Sequence, residues 1–213
     1  MTEHDVLRAV LGGRVVPVVV LEELETAVPV ALALQAGGLP VAEVTFRTAI
    51  AVDAISRIAG DTDVLVGAGT VVRPEQVDEA VAAGARFIVT PGLSLRVIER
   101  CRELDVLVIP GVATATEVIA ALDQGLDVLK LFPAEAAGGI ALLRALRGPF
   151  PDVRFVPTGG ISAANAASYL ALPSVAAVGG SWMVAPELVA ARDYAAVTRL
   201  AREAATLASE VPR

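Results

Sequence analysis

A chain of 213 residues that is 55% hydrophobic with a net charge of −7 can build one sizeable core but not two comfortable domains. The acidic balance argues against nucleic acid and anionic membrane surfaces as partners, so an anionic substrate would need locally placed donors. His4 is the only histidine and Cys101 the only cysteine, which excludes a Ser-His-Asp or Cys-His constellation, a multi-histidine metal site and an internal disulfide.

In chain order, a helix is expected over 3–11, with His4 in a terminus expected to fray. Eight short apolar, β-branched runs follow, at 15–20, 40–45, 63–68, 85–90, 105–110, 127–132, 153–158 and 174–179. Each reads as a buried strand. Ala/Leu-rich segments of helical spacing separate them. Glycines in "QAGGLP", "VAAGAR" and "LDQGLD" mark helix C-caps before the next strand. A closing helix is expected over 193–209. Eight near-continuous apolar strands alternating with helices predict an α/β fold, a (β/α)8 TIM barrel with an extra N-terminal helix, as one domain over 1–213. A doubly wound open sheet is the alternative, disfavoured because no G-x-G-x-x-G follows the first strand. Glu3 and Asp5 precede any apolar run, unlike a signal peptide, and no apolar run is long enough to span a bilayer. With its lone cysteine, the chain is expected to be cytoplasmic.

Chemistry in such a barrel sits at the C-terminal ends of the strands. Polar and glycine residues out of pattern collect there: Glu43 and Arg47 in "EVTFRT", Thr70 in "GAGT", Thr90 and Pro91 in "TPG", Lys130 and Phe132 in "KLF", Thr158, Gly159 and Gly160 in "PTGG", and Gly179, Gly180 and Ser181 in "GGS".

Lys130 is the one lysine against sixteen arginines. It could snorkel from a strand edge to solvent. Yet this chain uses arginine wherever positive charge alone is needed. Lysine offers what arginine lacks, an amine that desolvation can bring toward neutrality. A lone lysine in an apolar barrel wall therefore reads as an imine-forming nucleophile. Glu43 could pair structurally with Arg47 or Lys130, or shuttle protons at the barrel mouth. The Arg47 fork suits a carboxylate, and the Thr70 hydroxyl could meet the same group. The two Gly-Gly steps after strands seven and eight let backbone amides approach an anion, with helix N-termini following, where barrels of this kind often hold phosphate. Cys101, Trp182 and the methionines read as packing.

Taken together and in order, "EVTFRT", "VGAGTV", "TPGL", "IPGVAT", "KLFPAE", "GPFP", "PTGGIS" and "GGSWMV" resemble the 2-keto-3-deoxy-6-phosphogluconate (KDPG) and 4-hydroxy-2-oxoglutarate (KHG) aldolase family over about residues 15–184. Phe46 is a small departure, standing where leucine is common. The resemblance implies a (β/α)8 barrel, usually a homotrimer, and a class I aldolase of carbohydrate metabolism that acts on a 2-keto acid without metal or cofactor. It implies that Lys130 forms the Schiff base and that Glu43 is the acid–base carboxylate. Arg47 and Thr70 would bind the pyruvoyl carboxylate, and Pro91 and Phe132 would shape the pocket wall. Thr158, Gly159, Gly160, Gly179, Gly180 and Ser181 would surround a distal phosphate. Two other readings stand beside it: a phosphate-binding isomerase or synthase working without an imine, and a non-catalytic barrel that binds a phosphorylated metabolite.

Overall fold

The computed structural model describes residues 1–212. The chain begins with α1 (Glu3–Gly12). Thr2 caps it: its hydroxyl accepts from the Asp5 N–H, and the Asp5 carboxylate accepts from the Thr2 N–H. That reciprocal cap satisfies two helix-end donors. His4 consequently stands in a formed first turn, not in the frayed end expected from the sequence.

The elements then alternate: β1 (Val15–Val19), α2 (Ala27–Ala36), β2 (Val41–Thr45), α3 (Ala51–Asp61), β3 (Leu65–Gly69), α4 (Pro74–Ala82), β4 (Phe87–Val89), α5 (Leu95–Glu103), β5 (Leu107–Ile109), β6 (Gly111–Val112), α6 (Ala115–Leu122), β7 (Val128–Leu131), α7 (Gly139–Arg147), β8 (Arg154–Pro157), α8 (Ala166–Leu170), β9 (Val178–Gly180), α9 (Pro186–Ala190) and α10 (Tyr194–Glu210). Every apolar run of the sequence overlaps a strand, and the Asp193 side chain caps the closing helix. The glycines expected to end α2, α4 and α6 do so through Gly38, Gly84 and Gly125, all at positive φ.

All strand pairings are parallel, and they fall into two sheets. One has six strands in the order β5-β4-β3-β2-β1-β9, the other three in the order β6-β7-β8. The single closed eight-stranded sheet expected from the sequence is therefore resolved as an α/β fold with two parallel sheets. Pro110 explains one boundary. It has no N–H to give a ladder and ends the fifth apolar run: β5, before it, pairs with β4, and β6, just after it, pairs with β7. The Pro110 carbonyl still accepts from the Lys130 N–H at 2.9 Å. At the other boundary, two isolated bridges, Phe155 with Val175 and Thr158 with Gly179, link β8 to the β9 region.

Two apolar clusters fill the fold. The larger lies between strands and helices. The smaller gathers Val16, Val41, Phe87, Val89, Leu107, Ile109, Val128 and Val156 from the strands with Val6 and Val10 of α1. Most of these strand residues belong to the N-terminal halves of their strands. Helix α1 therefore covers that end, each buried valine contributing about 1.5–3 kcal/mol. The opposite, C-terminal end of the strands is left for chemistry.

Candidate active site

Successive strand residues face opposite sides of a sheet. On β2, Val41 joins the inner cluster while Ala42 and Val44 face the helices. Glu43 therefore faces inward. On β7, Val128 is inside and Leu129 and Leu131 are outside, which turns Lys130 inward too. The two meet: Lys130 Nζ donates to Glu43 Oε1 at 3.2 Å, with side chains only 5% and 4% exposed. Of the two partners the sequence left open for Glu43, the fold selects Lys130. The snorkelling alternative for Lys130 is overturned, because its amine is enclosed. Its Nζ also lies 5.2 Å from the centroid of the Phe132 ring, a favourable cation–aromatic distance.

Removing two charges from water costs several kcal/mol per ion, and a buried pair often returns less than apolar residues of the same volume would. An enclosed lysine–glutamate pair among valines and leucines is thus poorly explained by stability. It is well explained by chemistry: an amine that must shed a proton to act as nucleophile stands within hydrogen-bond reach of a carboxylate that can take it.

Room for this pair comes from inward-facing glycines. A Cβ on Gly69 would lie 2.2 Å from Glu43 Oε1, and one on Gly67 would lie 2.5 Å from the Phe87 ring. At Gly111, which pairs with Lys130 across the β6–β7 ladder, a Cβ would lie 2.4 Å from the Pro91 backbone. That close approach seats Pro91 beside the strand that neighbours Lys130. Thr90 holds the turn: its buried hydroxyl donates to the Gly92 carbonyl at 2.7 Å and accepts from the Gly111 N–H at 3.1 Å.

The remaining residues lie at or just beyond the C-terminal ends of β7, β8 and β9. Phe132 packs on Gly159, where a Cβ would come 3.2 Å from the ring. Thr158 is buried, and a Cβ on Gly179 would meet its hydroxyl at 2.2 Å. Gly159 and Gly160 turn with φ of 95° and 81°. Gly179 and Gly180 lie inside β9, which corrects the reading that they form a step after the strand. They are glycine because Thr158 and the Trp182 ring press on them. Nor do long helices follow these loops: α8 has five residues, and Trp182–Val184 is a single 3-10 turn. Donors for an anion here are loop amides and the exposed Ser181. Trp182 packs, as expected.

Arg47 is exposed just beyond β2, and the chain leading to it is anchored by Phe46 N–H donating to the Gly69 carbonyl at 2.8 Å. Thr70 takes φ 59°, a left-handed conformation that costs a non-glycine residue about 1–2 kcal/mol. Gln76 braces the same loop, its Oε1 accepting from the N–H groups of Val72 and Arg73. Neither Arg47 nor Thr70 makes a hydrogen bond or ion pair with Lys130 or Glu43; Thr70 directly follows Gly69, which packs on Glu43.

Two interactions escaped the sequence reading. The Thr90 brace left no motif beyond a threonine at a strand end. Tyr169 donates its hydroxyl to the Glu135 carboxylate, a pairing across 34 residues that no local pattern announces. Among the described residues, no cluster of three or more His, Cys, Asp or Glu side chains is placed to hold a metal ion. No helix there is long and apolar enough to cross a membrane.

Known proteins match this chain over most of its length. The family model "KDPG and KHG aldolase" matches residues 6–200. The KHG/KDPG aldolase of Escherichia coli K12 is 51% identical over 193 residues, covering 90% of this chain and 91% of that protein. Two solved structures superpose closely. One is KDPG aldolase from Legionella pneumophila with pyruvate captured as a covalent carbinolamine intermediate (TM-score 0.89, 44% identity, 95% of this chain and 97% of that one). Another is the 2-keto-3-deoxy-6-phosphogluconate aldolase of Zymomonas mobilis ZM4 with 3-phosphoglycerate (TM-score 0.91, 41% identity, 100% of this chain and 98% of that one). An enclosed lysine beside a carboxylate, in a chain matched over nine-tenths of its length, leads to one assignment: the chain belongs to the KDPG and KHG aldolase family.

Proposed function

We propose that this chain is a class I aldolase that cleaves 2-keto-3-deoxy-6-phosphogluconate to pyruvate and glyceraldehyde 3-phosphate. The observation that carries the reading is the 3.2 Å contact between the enclosed Lys130 amine and Glu43. The covalent carbinolamine of pyruvate in the Legionella relative supports a route in which an amine adds to the keto group, and Lys130 is the one lysine here. The 3-phosphoglycerate in the Zymomonas relative supports a phosphorylated three-carbon fragment.

In the proposed cycle, Lys130 gives a proton to Glu43 and attacks the C2 ketone. Glu43 then protonates the carbinolamine hydroxyl, which departs as water and leaves a protonated imine. The Glu43 carboxylate takes the proton of the C4 hydroxyl, the C3–C4 bond breaks, and its electron pair moves into the iminium to give an enamine. Glyceraldehyde 3-phosphate leaves. Protonation of the enamine at C3 and hydrolysis return pyruvate and free Lys130. Arg47 and Thr70 would hold the pyruvoyl carboxylate, Pro91 and Phe132 would wall the pocket, and Thr158, Gly159, Gly160, Gly179, Gly180 and Ser181 would receive the phosphate. 4-Hydroxy-2-oxoglutarate, which offers the same C2 ketone and C4 hydroxyl, would enter the same cycle and give pyruvate and glyoxylate.

The architecture is read as one domain over 1–213 and as a closed (β/α)8 barrel, with Pro110 and the two β8–β9 bridges as its seams. A homotrimer, a cytoplasmic location and a place in Entner–Doudoroff carbohydrate metabolism complete the proposal. Readings without an imine lose ground, because neither an isomerase nor a binding protein requires an enclosed lysine. The deciding test is reduction with borohydride in the presence of pyruvate. A pyruvate-derived mass on the peptide containing Lys130 is expected; an unmodified Lys130 would overturn the imine mechanism.

A further inference from the structure

The Glu135–Tyr169 contact lies outside the machinery described above, yet it abuts the loop assigned to phosphate. Tyr169 is completely buried and donates to the Glu135 carboxylate. Burial, and then that hydrogen bond, push the phenol far above its ordinary pKa, so it remains a donor. Glu135 is exposed at its other edge, and its backbone and stem are tied into the loop after β8. The Glu135 N–H donates to the Gly159 carbonyl at 3.1 Å, and the Ala134 N–H donates to Thr158 at 2.8 Å. A Cβ on Gly160 would lie 2.5 Å from Glu135 Cγ, and one on Gly139 would lie 3.0 Å from the Tyr169 hydroxyl. The loop backbone therefore lies flat on the glutamate stem, and the glutamate head is pinned by the tyrosine.

The same helix holds the loop a second time. Asn165, one turn before Tyr169, donates from Nδ2 to the Gly160 carbonyl at 3.0 Å and accepts the Ser162 N–H at 2.8 Å. The stretch from Gly159 to Ser162 is thus clasped by Asn165, at the N-cap position of α8, and by the segment following Lys130 through Glu135. Gly159 and Gly160, both at positive φ, have an intrinsically permissive backbone. Something outside the loop must fix where their amides point, because a site held loosely by even an ångström loses affinity.

We propose that Tyr169 and Glu135 are positioning residues that set the phosphate loop, and through it the preference for a phosphorylated over an unphosphorylated 2-keto acid. This rests on the assignment of that loop to phosphate. Tyr169 and Glu135 act through the loop backbone and not on the reacting atoms, so their effect belongs in KM for the phosphorylated substrate and not in kcat.

The test compares Tyr169→Phe, Glu135→Ala and Glu135→Gln with the parent on 2-keto-3-deoxy-6-phosphogluconate and on 4-hydroxy-2-oxoglutarate. Losing a hydrogen bond to a charged group predicts about a ten-fold rise in KM for the phosphorylated substrate in the first two variants. Their kcat, their KM for the unphosphorylated substrate and the borohydride trapping of pyruvate should stay within about two-fold. Glu135→Gln keeps an acceptor for the phenol and should restore the parent KM. Glu135 is exposed, so its alanine variant supplies the answer should Tyr169→Phe fail to fold. Equal changes on both substrates, or an unchanged KM ratio, would overturn the inference. A parent enzyme with no preference for the phosphorylated substrate would instead overturn the phosphate assignment, and failure of trapping in the parent would overturn the aldolase reading.

Discussion

Gly69 of β3 and Glu43 of β2 occupy space that admits only one side chain: a Cβ on the glycine would sit 2.2 Å from the carboxylate oxygen that meets Lys130. The glycine is therefore part of how the carboxylate is aimed. Gly69→Ala should push Glu43 away from Lys130 while the strand still pairs. The added methyl is expected to destabilise by about 1–3 kcal/mol and to slow imine formation by roughly 100-fold. Stopped-flow trapping with pyruvate and a denaturant melt measure the two effects separately. A rate equal to the parent's would show that the carboxylate has slack.

The ion pair makes a prediction about stability as well as rate. Lys130→Met leaves Glu43 enclosed without its partner and should cost about 3–5 kcal/mol. Adding Glu43→Gln should recover most of that loss without restoring turnover. A double variant no more stable than the single one would mean that packing around Lys130, and not charge, sets the cost.

Acid should loosen the loop after β6. Glu117 completes the cap of α6, accepting from the N–H groups of Ala113 and Thr114 and from the Thr114 hydroxyl. Burial raises its pKa, but these hydrogen bonds outweigh it and leave the carboxyl below its ordinary value. A lowered folded value gives stability that is present above the unfolded value and lost as pH falls through the folded one. Thr114→Ala should therefore cost about 1 kcal/mol at neutral pH, and the difference should shrink below the carboxylate range. Melts of parent and variant at both pH values check the sign.

Cys101 is completely buried, and desolvation, with a smaller push from Glu3, raises its thiol to about 12. It should resist a thiol-specific reagent at pH 8 and react as the chain unfolds, since the thiolate is the nucleophile. Its contribution to stability is full below the unfolded thiol value and lost as pH rises toward the folded one. Labelling at pH 8 as fast as that of a free thiol would contradict the burial.

The sequence by itself determined the alternation of eight apolar runs with helices, the closing helix and the singular position of Lys130. Those signals are local: a strand or helix announces its buried face through spacing along a few residues, and a lone lysine among sixteen arginines needs no neighbour to be noticed. It singled out Glu43 as a carboxylate in an apolar strand, but its inward face followed only from Val41 packing on one side and Ala42 and Val44 on the other. Tertiary structure alone decided what those faces meet. It chose Lys130 and not Arg47 as the partner of Glu43, passed the pairing from one sheet to the other across Pro110, and drew Gly179 and Gly180 into β9. The Tyr169–Glu135 contact spans 34 residues, and a Cβ's worth of room at Gly69 depends on the adjacent strand. Contacts of this kind arise only when separate segments are brought to packing distance, and a pattern read along one segment carries no information about the other.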